Sequence, residues 1–187
     1  NNWNPNPSAV ANSPGMGTNV DATVIIPQVT NQPTATGLTL SLTDITIGSG
    51  AVLTMATGGT LTVKGNFYNN NFNGTNNGFT AAAAHTTTYT GTSKLIAPGN
   101  YGNLTFSGAT TPILSPVGTI AVKGTFTPVN SGVTYTGSTI GFNGTTTQTI
   151  PAFDFFNNVL FNNTAAANSI TFSGKVTVYG DMTINCP

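Results

Sequence analysis

The 187 residues carry no net charge, and only 4% of them are charged, against roughly a quarter in an ordinary globular domain. The cations are Lys64, Lys94, Lys123 and Lys175; the anions are Asp21, Asp44, Asp154 and Asp181; Glu and Arg are absent. This excludes a nucleic-acid binder, which needs clustered cations to neutralise phosphates. It also removes most good helix formers. Thr and Asn supply about a third of the chain, and 22 glycines furnish turn positions. With 38% hydrophobic residues the chain can still build a core, so the composition predicts an all-β protein.

In chain order, residues 1–20 are rich in Asn and Pro and read as an extended arm or cap; residues 21–187 read as one repeat domain. Val24-Ile25-Ile26 predicts a strand stopped by Pro27. Leu38, Leu40 and Leu42 alternate with polar residues as in a half-buried strand. The parity then slips to Ile45 and Ile47, which predicts a bulge or corner near Thr43–Asp44. Short strands follow between glycine turns, at Val52–Met55 and Leu61–Val63. The Asn-rich stretch 69–85, leading into Ala81–Ala84, reads as a loop with at most one helical turn.

Three segments look alike: Thr60–Phe67, Thr119–Phe126 and Lys175–Met182, each with a Val-x-Gly unit. Val63, Val122 and Val178 correspond, 59 and 56 residues apart, a period that suggests stacked repeats. Each such repeat is expected to hold two or three coils of roughly 18–28 residues, in the range of β-solenoids. One coil cannot bury its apolar side chains alone; stacking makes them continuous columns. A β-sandwich of hairpins is the alternative.

Asp21–Pro27, with Trp3 before it, then Leu42–Met55 and Thr60–Phe67, resembles repeat modules of secreted surface proteins of Bacteroidetes. There a "V-x-I-P" strand precedes an "L-t-I-x-x-G-a-x-L-t" coil. Gly137–Phe142, Gly144–Ile150 and Phe156–Phe161 look like a second unit of the same modules. The resemblance implies a right-handed parallel β-helix, export by a type IX-like system, and a surface or adhesive setting.

Candidate chemistry is sparse. His85 is the sole histidine and reads as a polar loop residue, because no second His and no Glu exists to share a metal or a proton with it. The Asp residues are dispersed, whereas glycan-cleaving sites need converging acids. Asp154, between Phe153 and Phe155, reads as a solvated turn. No calcium-loop spacing is present. The expectation is a protein without catalytic, metal or cofactor-binding residues, and not an enzyme.

Tyr68, Tyr89, Tyr101, Tyr135 and Tyr179, with Trp3, could form platforms for sugar rings but read as strand aromatics. Thr-x-Thr pairs at Thr60/Thr62, Thr86/Thr88/Thr90, Thr134/Thr136 and Thr145/Thr147/Thr149 suggest an ice-binding ladder. Their intervals are irregular, so they read as ordinary outward threonines. Cys186 lacks a partner for an internal disulfide. It and Trp3 are the candidate subunit contacts.

The function expected is a secreted structural protein, a surface or filament subunit that associates with itself into a homopolymer or array. A carbohydrate- or ice-binding module is the alternative, with glycans as possible partners. Neither nucleic acid nor a membrane span is expected, since no apolar stretch approaches the roughly 20 residues of a membrane helix.

Overall fold

A computed structural model describes residues 22–72, 78–107, 111–166 and 169–187. The expected arm at 1–20 and Trp3 lie outside the described residues. The chain is all-β, with no helix among the described residues. Every strand pairing among them is parallel, which rules out the sandwich, built from antiparallel strands. The architecture is a β-solenoid.

The stack begins with β1 (Ala22–Ile26), ended by Pro27 as the sequence predicts. The first full turn holds β2 (Thr34–Ala35) and β3 (Thr39–Ile47). The second holds β4 (Leu53–Met55), β5 (Thr60–Val63) and β6 (Phe67–Asn69). Next come β7 (Phe79–Ala81), β8 (Thr86–Tyr89) and β9 (Leu95–Ile96), then β10 (Gly99–Tyr101), β11 (Asn103–Phe106) and β12 (Ile113–Leu114). The fifth turn has β13 (Thr119–Val122) and β14 (Phe126–Thr127). The sixth has β15 (Thr139–Phe142), β16 (Gln148–Ile150) and β17 (Phe153–Phe156). The last has β18 (Asn158–Phe161), β19 (Ile170–Phe172) and β20 (Val176–Val178), and β21 (Met182–Ile184) starts another.

One eight-stranded sheet, β2-β4-β7-β10-β13-β15-β18-β21, runs the length of the stack. A seven-stranded sheet, β1-β3-β5-β8-β11-β14 with β6 on β3, lies beside it in the earlier turns. Along the eight-stranded sheet, paired residues stand 19 to 26 apart in sequence, within the expected coil length. The parity slip at Thr43–Asp44 is a corner: Thr39–Leu42 pairs with β5, and Ile45–Ile47 pairs with β6. The expected loop at 69–85 is corrected, because it contains β7, whose Phe79 and Ala81 are buried.

Inward residues form columns such as Leu40, Leu61, Thr87, Leu104 and Phe126. A side chain on Gly99 would meet the Phe79 ring, so the glycine leaves room for it. An aromatic spine threads the core, from Phe67 and Phe79 (ring centroids 5.0 Å apart) through Tyr101, Tyr89, Phe106 and Phe126 to Phe142 and Phe161. Such contacts are worth about 0.5–1.5 kcal/mol each beyond area burial. The two buried tyrosines satisfy each other: Tyr101 Oη donates to the Ala97 carbonyl at 2.8 Å, which leaves Tyr89 Oη to donate to Tyr101 Oη, also at 2.8 Å.

The three look-alike segments do not stack on one another, which corrects the 56–59-residue period. Val63 lies in the seven-stranded sheet, Val122 in the eight-stranded one, and Val178 in the pair β17-β20. What repeats is a corner. The N–H groups of Gly65, Gly124 and Gly180 bond to the carbonyls of Thr43, Gly102 and Asn157 in the turn before. The next N–H in each case, from Asn66, Thr125 and Asp181, donates to a side-chain Oδ1 of Asp44, Asn103 and Asn158, at 2.6, 2.8 and 2.9 Å. A Cβ on any of the three glycines would collide with that same oxygen, so close approach dictates glycine. The shared Val-x-Gly words encode these clips.

Candidate binding surfaces

The acids are spread over the structure. Asp44 is spent on a corner clip, and Asp181 is exposed beside the last strand. Asp21 lies outside the described residues. Asp154 is in β17 rather than in a turn, which corrects the sequence reading. It accepts a hydrogen bond from Thr177 Oγ1 at 2.7 Å and pairs with Lys175 Nζ at 3.3 Å. These contacts hold its carboxyl below the usual range. Among the described residues no group of three or more His, Cys, Asp or Glu is placed to hold a metal ion.

His85 is not a solvated loop residue. It closes the turn between β7 and β8 and is fully buried, with neither ring nitrogen hydrogen-bonded among the described residues. Burial pushes its pKa down, because the imidazolium would lose its water. The sequence carried no sign of this, since Ala-Ala-Ala-His has no strand pattern. The next turn lies directly on its backbone: Gly102 alone forms the corner there and sits on the Ala82 and His85 carbonyls. Lys123, on the turn after that, reaches back to the Ala81 carbonyl (3.0 Å), and partial burial lowers its pKa.

The tyrosines divide. Tyr89 and Tyr101 are core residues and cannot meet a ligand, which removes them as platforms; burial raises both pKa values. Tyr135 and Tyr179 stack on the outside at 5.0 Å and 27°, with Phe155 at 5.7 Å from Tyr135. Tyr179 is 60% exposed. Among the described residues, these are the two tyrosines whose rings stack on each other outside the core.

At the far end of the stack the pattern of the core continues without its cover. Phe172 is 51% and Ile184 is 65% exposed, although Phe161, the partner of Ile184 one turn earlier, is buried. Phe161, Ser169, Ile170, Phe172, Ile184 and Cys186 line an open hollow there. β19, β20 and β21 each pair on one side only among the described residues. Cys186 is half-buried in this hollow.

Of the Thr-x-Thr pairs, the structure brings Thr60/Thr62 and Thr86/Thr88 together in register on adjacent strands. Comparison with family models, with curated proteins and with solved structures finds no match for this chain. No helix among the described residues is long and apolar enough to cross a membrane.

Proposed function

We propose that this chain is a secreted structural protein, a cell-surface or filament subunit whose solenoid is continued end to end by a second copy. The observation that carries this reading is the parallel β-solenoid itself, whose stacked turns pair strand on strand and can be extended by any further β-coil, from this chain or from a second copy. β19, β20 and β21 offer such a coil apolar side chains and a pairing edge. Zero net charge supports it, because nothing in the overall charge keeps copies apart. Cys186 lines the hollow at that end, where it would face the next subunit. The likeness to Bacteroidetes surface modules supports an extracellular setting, and the dispersed acids favour a role without catalysis.

Sedimentation velocity and negative-stain microscopy test the reading. The wild-type chain is expected to form concentration-dependent linear assemblies, and Phe172→Lys/Ile184→Lys to remain monomeric. Dispersed wild-type monomers at high concentration would refute it. A second reading, glycan binding, is favoured by the Tyr135–Tyr179 stack, with Phe155 against Tyr135. A glycan array on which Tyr179→Ala matches the wild type would remove it.

A further inference from the structure

The threonine pairs extend further in space than in sequence. Thr39, Thr60, Thr86 and Asn103 are aligned residue by residue across β3, β5, β8 and β11. Two positions along each strand, Ser41, Thr62, Thr88, Thr105 and Thr127 form a second aligned column, reaching β14. Thr125 continues the first column, its N–H bonded to Asn103 Oδ1. Five successive turns therefore present a hydroxyl or amide at both positions, eight of the ten being threonine. All ten are half-buried or exposed, while the residues between them point into the core.

The sequence intervals hid this. Residues in the first column are 21, 26, 17 and 22 apart. The long interval contains the stretch between β6 and β7, and the short one passes through the single-residue corner at Gly102. Both irregularities lie outside the strands, so the outward face keeps its register.

We propose that this face is an ice-binding surface. The frame of a parallel sheet sets the array's spacing at about 4.8 Å between strands and roughly 6.6 Å between alternate residues along a strand. Both lie close to the oxygen repeats on the prism faces of hexagonal ice. Each threonine adds a hydroxyl that donates and accepts, and a methyl group around which water must form a cage. Its β-branched side chain is stiff, so the lattice is set before ice arrives. Asn103 is held along the stack by its bonds to Thr125 N–H (2.8 Å) and Thr86 Oγ1 (3.4 Å).

The chemistry disfavours other ligands. The ten positions include no charged side chain to impose its own hydration shell, and Lys64 stands in the neighbouring column, at the edge. None is aromatic, as a sugar platform would require. The face lies on the side of the solenoid and is separate from the end-to-end contact proposed above, so either reading can fail without the other.

Ice-affinity partitioning of the full chain provides the test: ice is grown slowly from dilute protein, and the fraction incorporated is measured alongside crystal shape and freezing hysteresis. The wild-type chain is expected to enter ice several-fold above an inert protein and to facet the crystals. Thr88→Lys/Thr105→Lys should be rejected like the inert protein. Thr149→Lys, an exposed change on a different sheet, should behave as wild type. Thr88→Tyr/Thr105→Tyr, which keeps strand-forming residues, repeats the test should the lysine variant not fold. Rejection of the wild-type chain from ice would overturn the proposal, as would undiminished incorporation of a folded double variant. Rejection from ice combined with binding to crystalline cellulose or chitin would overturn it in favour of a polysaccharide ligand.

Discussion

Phe126, in the middle of the stack, and Phe172, in its last turn, sit in strands with the same apolar pattern, yet one is 2% and the other 51% exposed. Neither local sequence nor strand geometry accounts for the difference. Phe126 has rings on both sides along the axis, with Phe106 at 5.8 Å below and Phe142 at 5.8 Å above. Phe172 has Ile150 in the turn before it and Phe161 beside it at 5.6 Å, and no described strand pairs with β19 on its other side. Burial in a solenoid is thus conferred by the next turn, and a residue's contribution depends on its place in the stack.

Truncation should expose this contrast most strongly. Phe126→Ala removes a ring from the middle of the spine and is expected to destabilise the chain by about 3–5 kcal/mol in urea denaturation. Phe172→Ala should cost less than about 1 kcal/mol in the monomer, since the half-exposed ring forfeits little burial. Equal costs would break the comparison.

A smaller effect should appear at Thr87, whose hydroxyl faces the apolar column between Leu61 and Leu104 with no hydrogen-bond partner among the described residues. Thr87→Val keeps the shape and removes the orphaned group, so a gain of about 1 kcal/mol is expected. Thr171→Val, in the exposed last turn, should leave the melting temperature unchanged.

The smallest effect concerns pH. His85 is held neutral by burial in the middle turns, below its unfolded value of about 6.5. As pH falls through that value, the unfolded chain takes up a proton that the folded chain refuses. Stability should be intact above neutrality and decline between there and the lowered folded value. Melting temperatures from pH 7.5 to 5 should show this slope in the wild type and a flatter one in His85→Leu.

The sequence was most legible where one strand suffices. Alternation at Leu40 and Leu42, the stop at Pro27 and the corner at Thr43–Asp44 are local properties, and the structure has them all. Properties set by the neighbouring turn were not legible. Tyr89 and Tyr101 look like Tyr135 and Tyr179 in sequence, but the first two are enclosed by turns above and below. His85 is fully buried, and its carbonyl lies against a corner 17 residues later. The Val-x-Gly similarity was visible, but it marks corners on three different sheets, so reading it as a period assigned the wrong neighbours. The threonine array was missed for the same reason: its regularity is in space, and the chain between its members varies in length.

The corner clips bear on how such a molecule can change. Each ties a glycine and the residue after it to two adjacent residues of the preceding turn, the second an Asp or Asn. Elsewhere the turns differ in length while the strand pairing persists, so insertions in the side loops lengthen the chain without lengthening the stack. Eight strands separated by about 4.8 Å span roughly 34 Å whether a turn spends 19 residues or 26. The solenoid is a ruler graduated in turns, and its side loops are free to vary while the spacing of whatever it displays is kept.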